Sequence, residues 1–470
     1  MNMNWMEEVL KRKENLIHDT QQFLQIPSVL DEESATEKAP FGKAIDEALQ
    51  FLLKRGQEEG FVAKNVDGFA GHLEMGQGEE LVGILCHVDV VPPGDGWTSD
   101  PFAADIREGK IYARGALDDK GPTMAVFYAM KIVKELGLPL NKRVRMIIGT
   151  DEESEWRCVD HYFQHEEMPT MGFAPDADFP IIYAEKGIVD IDLKQVSDAA
   201  NEKGDIHLQS FNAGRRYNMV PDFAAAVLKA GKDRLLDVNR RFLQFLTSND
   251  LKGKALMHED NMTLQLEGLS AHAMEPDHGK NAGLLLASFL ASMPLHSQAQ
   301  SFVQFLDRYF SGDSRGKKLG VAHSDNITGD VTINVGIVSY CEEEGGKIGI
   351  NLRYPVTNDI AKTKQIIEQV AAQHGFTLDH FSDSKPHHVD RDHILIQTLQ
   401  RVYEEQTGER AELLSIGGGT YARSLQAGVA FGPLFPGRPD VAHQKDEYII
   451  IDDLLKATAI YAQAIYELAK

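Results

Sequence analysis

Three cysteines in 470 residues, Cys86, Cys158 and Cys341, are too few and too scattered for a disulfide framework, and their scarcity fits a reducing compartment. No apolar run approaches bilayer-spanning length. The first residues, MNMNWMEEVLKRKENL, hold no basic segment followed by an apolar one, so the expected location is cytoplasmic, with no membrane contact. Positive charge is also short. The 48 Lys and Arg stand against 71 Asp and Glu, a net −23 that argues against nucleic acid or an anionic membrane as a partner. Metal cations and amine-bearing ligands remain open. What is present is 43% hydrophobic and 25% charged residues, ordinary for a folded chain, in a length that at roughly 100 to 200 residues per domain makes two to four domains.

Residues 81–91, LVGILCHVDVV, form an apolar β-branched run ending in the turn signals PPGDG, which predicts a buried strand. A helix is predicted to open at Gly121-Pro122 and continue through TMAVFYAMKIVKEL, followed by a strand at Val144 to Gly149. Helical spacing also marks Trp5 to Ile26 and Phe41 to Glu59. Strands alternating with helices predict an α/β fold with its ligand site at the carboxyl ends of the strands. From Glu185-Lys186-Gly187 to about Ser384 the pattern changes to amphipathic strands such as MTLQLEG and GKIGINLRY with intervening helices, an α+β character. After Ser384 the α/β alternation resumes. The expected organisation is therefore a catalytic α/β domain from residues 1–186 and 384–470, a mixed sheet flanked by helices, interrupted by an inserted α+β domain at 187–383. The insert has room for two related ferredoxin-like copies.

Chemistry-bearing residues gather at the predicted strand ends. His87-Val88-Asp89 closes the first strand; if the strand continues, His87 and Asp89 share a face and the carboxylate can fix the imidazole tautomer. Asp118-Asp119 precedes a helix, where acids also serve simply as N-terminal charges. Asp151-Glu152-Glu153 follows VRMIIG, and three acids facing one cavity would repel one another unless a cation neutralises them. Asp176 follows the apolar turn GFA, and His443 lies in DVAHQKDE. Singly, each also reads as a solvated loop. Together they are the His, Asp and Glu mixture that suits a pair of zinc or manganese ions.

HVDVVPPGDGW, YARGALDDKGP, GTDEES, APDADFP, SAH and the late histidine together resemble the M20 family of metallopeptidases, most closely its long bacterial dipeptidase branch of the PepV type. The resemblance spans essentially the whole chain. It implies a domain holding two divalent metal ions, Zn2+ first and Mn2+ or Co2+ as alternatives, with an inserted lid. By resemblance, His87 and Asp176 are ligands of one metal, Glu153 and His443 of the other, and Asp118 bridges them. Asp89 would clamp His87, and Glu152 would be the general base. An Asp at position 176 goes in this family with substrates whose amino terminus is free.

The insert holds Asn218, Ser270-Ala271-His272 and Arg353, ordinary residues for a turn, a surface loop and a strand. The resemblance makes His272 an oxyanion-stabilising catalytic residue and Asn218 and Arg353 carboxylate holders, a task that suits the planar guanidinium fork. Gly417-Gly418-Gly419 lacks a phosphate-loop spacing and reads either as a tight turn or as a substrate-carboxylate nest at Gly417 and Gly418. The expected activity is hydrolysis of dipeptides with a free amino terminus, by a monomer whose only partner is a small peptide. An N-acyl amino acid hydrolase of the same family is the alternative, and a catalytically silent binding protein is disfavoured by the full set of candidate ligands.

Overall fold

Leu81–His87 is buried at every position, as an apolar run of seven residues must be when it lies inside a sheet covered on both faces. The computed structural model describes residues 3–196 and 204–470. These form two compact units: one comprises the residues up to Ala184 with His388–Ser415 and Thr420–Lys470, the other Glu185–His387 with Ile416–Gly419. The glycine run, which the sequence groups with the outer segments, thus belongs with the inserted unit.

In the first unit the strands are β1 (Val62–Val66), β2 (Ala70–Gly76), β3 (Leu81–His87), β4 (Arg143–Gly149) and β5 (Met171–Ala174). They lie in the order β1-β2-β4-β3-β5, continued by Gly428–Ala430 and then Ile181–Glu185. The β4-β3-β5 centre and its pairing to Gly428–Ala430 are parallel, while β1, β2 and Ile181–Glu185 join antiparallel. Helix α1 (Lys120–Glu135) packs against the final helix, Ile451–Ala469, and both are apolar almost all round, as buried helices are. A third helix, α2 (Arg157–His165), follows the loop after β4.

Local reading of the sequence misjudged three elements. The apolar GFA predicted as a turn is part of β5, a central strand; Gly172 is needed there because a Cβ would sit 2.1 Å from the Gly83 carbonyl oxygen of β3. Trp5 to Ile26 breaks into two helices, Trp5–Leu10 and Lys13–Leu24. The predicted strand through Val91 ends at His87, so Asp89 lies beyond it.

The second unit is built on an eight-stranded antiparallel sheet in the order Lys252–His258, Asn261–Glu267, Phe223–Lys229, His207–Ala213, Thr332–Cys341, Gly345–Tyr354, Gly187–Gln195, Phe376–Ser384. Alternating burial along Phe223–Lys229 and Asn261–Glu267 turns one face to a core shared with helices Lys232–Ser248, Ala282–Ala291, Ser297–Tyr309 and Ile360–Gln373. The last four strands of that order, with Ser297–Tyr309 and Ile360–Gln373, make one ferredoxin-like βαββαβ copy. The other four make a second copy whose closing strand, His207–Ala213, comes first in the chain. Among the described residues no helix is long and apolar enough to cross a membrane.

Candidate metal centre and active site

The parallel strands deliver the site. In register, His87 at the end of β3 pairs with Gly149 at the end of β4, which leads directly into Asp151-Glu152-Glu153. The end of β5 leads into Pro175-Asp176. Gly149 has to be glycine, because a Cβ would lie 1.8 Å from the Tyr421 hydroxyl oxygen. The Tyr421 ring stands edge-on to His87, 5.9 Å between centroids.

Asp118 is the central group. Its Oδ1 lies 3.1 Å from His87 Nε2 and its Oδ2 lies 3.0 Å from His443 Nε2. Asp176 Oδ2 is 3.7 Å from the same His87 nitrogen, and Glu153 Oε1 is 3.1 Å from His443 Nε2. Three donor sets therefore each converge within 4.8 Å: His87 with Asp118 and Asp176, Asp118 with Glu153 and His443, and His87 with Glu152 and Glu153. His87, Asp118, Glu152, Glu153, Asp176 and His443 thus come together at this end of the sheet. Glu152 stands close enough to be a donor as well as a base.

The electrostatics fit divalent cations. Among the described residues no lysine or arginine forms an ion pair with Asp118, Glu152, Glu153 or Asp176. Burial pushes Glu152 well above the usual carboxylate range. Burial and then repulsion from Asp118 push Asp176 up to about 7, against its contact with His87. Glu153 is raised by burial and by Asp118. Asp118 goes the other way: burial opposes its charge, but the contacts with His443 and His87 outweigh it. Hydrogen bonds to Asp118 and Glu153 raise His443 to about 11, and His87 is held high by Asp118, Asp176 and Asp89 despite its burial. Such a cluster gathers protons wherever no other positive charge is supplied. Two divalent cations would take the place of those protons, so the donor set fits the group.

Asp89 faces both His87 and the acidic loop. His87 Nδ1 is closest to the backbone carbonyl of Asp89, at 2.9 Å, and 3.4 Å from its carboxylate. That carboxylate also accepts the backbone N–H groups of Glu152 and Glu153 at 3.1 and 3.0 Å, fixing the acidic loop. The strand ending at His87 frees Asp89 to turn this way.

Two supporting carboxylates carry no separate role in the sequence reading. Asp119, joined to Asp118 by a cis peptide bond, accepts the His87 N–H and the Thr123 hydroxyl, each at 3.1 Å. Glu447 is fully buried and accepts from the backbone of Gly115, Leu117 and Asp118 and from Arg114 Nη1, the last at 2.6 Å. The only signal for it is an acid just before YII in the stretch that carries His443. The His443 loop is held further by Asp446, which takes the Thr98 N–H at 2.8 Å.

The remaining candidates lie in the second unit. Segments 218–220 and 271–273 run side by side, with a bridge between Met219 and His272 and the Ala273 N–H on the Asn218 carbonyl at 2.9 Å. Asn218 and His272 are exposed. Partial loss of solvation, then the Arg353 charge, lower the His272 pKa. Arg353 is buried, with Nε donating to Asn351 Oδ1 at 2.9 Å and Nη1 to the Gly417 carbonyl at 2.6 Å. A Cβ on Gly417 would come 2.9 Å from that of Met274, and one on Gly418 would sit 3.9 Å from Arg353 Nη1. Asn218, His272, Arg353, Gly417 and Gly418 thus form one connected patch of that unit.

A protein from Bacillus subtilis named "Putative dipeptidase YtjP" is 59% identical over 468 residues, covering 100% of both chains. A Staphylococcus epidermidis protein named "Putative dipeptidase" is 46% identical, covering 99% of each. Among solved structures, aminoacylhistidine dipeptidase from Vibrio alginolyticus shares the fold at a TM-score of 0.57 and 14% identity, over 96% of either chain. The profile of Peptidase family M20/M25/M40 matches residues 83–467. With strand-end carboxylates and imidazoles that suit divalent ions and a profile match over most of its length, this chain belongs to peptidase family M20/M25/M40 and is a peptidase-type enzyme.

Proposed function

We propose that this chain is a di-metal dipeptidase that hydrolyses short peptides with a free amino terminus. The observation that carries the reading is Asp118, whose two oxygens face two different imidazoles at 3.1 and 3.0 Å, the disposition of a carboxylate shared by two ions. His87 and Asp176 would complete one site, Glu153 and His443 the other. Bound there, two divalent ions supply electrophilic polarisation of the scissile carbonyl and a more acidic water. Zn2+ suits the mixed nitrogen and oxygen donors, with Mn2+ or Co2+ as alternatives.

The chain's own part is positioning and proton transfer. Glu152 takes a proton from the attacking water on its carboxylate and passes it to the leaving amine, and its buried setting, which raises its proton affinity, suits it to hold that proton between the two steps. Asp89 keeps Glu152 and Glu153 in place through their N–H groups. In the second unit, His272 would donate to the oxyanion while Arg353, Asn218 and the Gly417-Gly418 loop hold the substrate carboxylate. The three free cysteines support a cytoplasmic location, and two ferredoxin-like copies in one chain support a monomer.

The test is a panel of free and N-acylated dipeptides after chelation and re-addition of Zn2+ or Mn2+. Metal-restored cleavage of free dipeptides alone is expected; preference for N-acyl amino acids would make the enzyme a deacylase instead. Glu152→Ala should lose activity by roughly a thousandfold with metal content kept. Retained activity would remove Glu152 as the base.

A further inference from the structure

A second histidine and carboxylate cluster lies in the first unit, outside the strand-end carboxylates. His161 and His165 are four residues apart on α2, so both imidazoles emerge on one face of the helix. Asp67, in the turn between β1 and β2, meets them: its Oδ2 is 3.0 Å from His161 Nε2. One donor atom from each of Asp67, His161 and His165 falls within 4.8 Å of the others.

We propose that these three residues bind one transition-metal ion, of the zinc, nickel or copper class, as a structural clip. Two imidazole nitrogens and one carboxylate oxygen are a borderline donor set, unsuited to Mg2+ or Ca2+, and solvent water can fill the open positions because Asp67 and His165 are exposed. The ring orientations are already set. His165 Nδ1 donates to the His161 backbone carbonyl at 2.8 Å, which fixes the tautomer and leaves Nε2 as the nitrogen with a free lone pair. The His161 ring stacks on Phe69, 4.2 Å between centroids and 19° between planes, and lies 4.2 Å from the His165 ring.

The clip would tie the β1–β2 turn to α2, whose first turn follows the loop of Asp151, Glu152 and Glu153. Its two ends already communicate, since the Phe69 carbonyl accepts the Thr150 hydroxyl beside that loop. A similar group, His207, His296 and Glu342, lies in the second unit with its two imidazoles stacked 4.9 Å apart, but among the described residues no hydrogen bond orients the His296 ring as one orients that of His165.

The experiment uses the full-length protein, stripped with chelator and dialysed against buffered micromolar Zn2+, with bound zinc counted by mass spectrometry. His165→Ala and Asp67→Asn, both exposed and outside the catalytic machinery, should each hold one zinc fewer than the unmodified protein, with dipeptide hydrolysis unchanged. The zinc-induced rise in Tm should shrink in both. The readout is a difference between proteins, so it stands whatever the strand-end site binds and whatever the substrate proves to be. Equal zinc content in the unmodified protein and both variants would overturn the clip.

Discussion

Glu447 Oε1 accepts the backbone N–H of Asp118 at 3.1 Å, so an acid four residues beyond His443 holds the chain at the carboxylate shared by both imidazoles. The same carboxylate takes two further N–H groups and the Arg114 guanidinium, and none of it reaches solvent. Glu447→Gln keeps the shape but turns an amide NH2 toward donors. The variant should lose about 3 kcal/mol of stability in urea unfolding, as broken buried ion pairs do. Its metal affinity should fall roughly 10- to 100-fold, as when a residue supporting a metal ligand is removed. Wild-type values for both would show that the Asp118 loop holds its place without Glu447.

Asp89→Ala removes the acceptor for the N–H groups of Glu152 and Glu153 but leaves the backbone carbonyl that faces His87. Turnover should therefore drop with little change in the binding of the first metal ion. A variant that loses all bound metal would show the carboxylate to be essential to His87 after all. Isothermal titration with Zn2+ beside steady-state kinetics separates the two.

Arg353→Lys cannot span Asn351 Oδ1 and the Gly417 carbonyl with one planar fork. KM for a dipeptide should rise about tenfold or more, in line with loss of a charge-assisted hydrogen bond. For the same dipeptide with an amidated carboxyl end the change should be small. Equal effects on both substrates would mean that Arg353 shapes the loop and does not read the carboxylate.

His72 offers a pH test remote from the carboxylate cluster. It is buried, its Nδ1 accepts the Tyr162 hydroxyl at 2.9 Å, and Tyr162 in turn accepts from Arg145. Burial, then the Arg145 charge, push its pKa down to about 4, while Glu166 and Glu167 pull the other way and Lys64 adds to the fall. A depressed folded-state value means that the stabilisation is complete above the unfolded value near 6.5 and is lost as pH falls from there toward 4. The loss has a ceiling of about 3 kcal/mol. His72→Asn should flatten this limb relative to wild type in urea midpoints measured between pH 7 and 4.5. Parallel curves would show that His72 takes up its proton without cost.

The apolar runs LVGILCH and VRMIIG declared two buried strands on their own, because a continuous apolar stretch has nowhere else to go. The acids and histidines at their ends declared candidate donors, because carboxylates and imidazoles are the side chains that hold divalent ions. MGFA was harder to read: four residues are too short to show a period, and only pairing between β3 and Gly428–Ala430 makes them a strand. Ser297–Tyr309 took its place as a helix of one ferredoxin-like copy only once the sheet order was known.

The sequence by itself determined the two kinds of unit, the strand cores and the residue types available for chemistry, since hydrophobic pattern and side-chain chemistry are local properties. Only the tertiary structure decided that Asp118 sits between His87 and His443, that Asp89 serves the acidic loop, and that Glu447 and Asp119 hold the neighbouring backbone. Asp118 and His443 are more than 300 residues apart, and a hydrogen bond acts over about 3 Å. No local pattern carries that distance; the parallel register of β3, β4 and β5 and the loops pinned around it do.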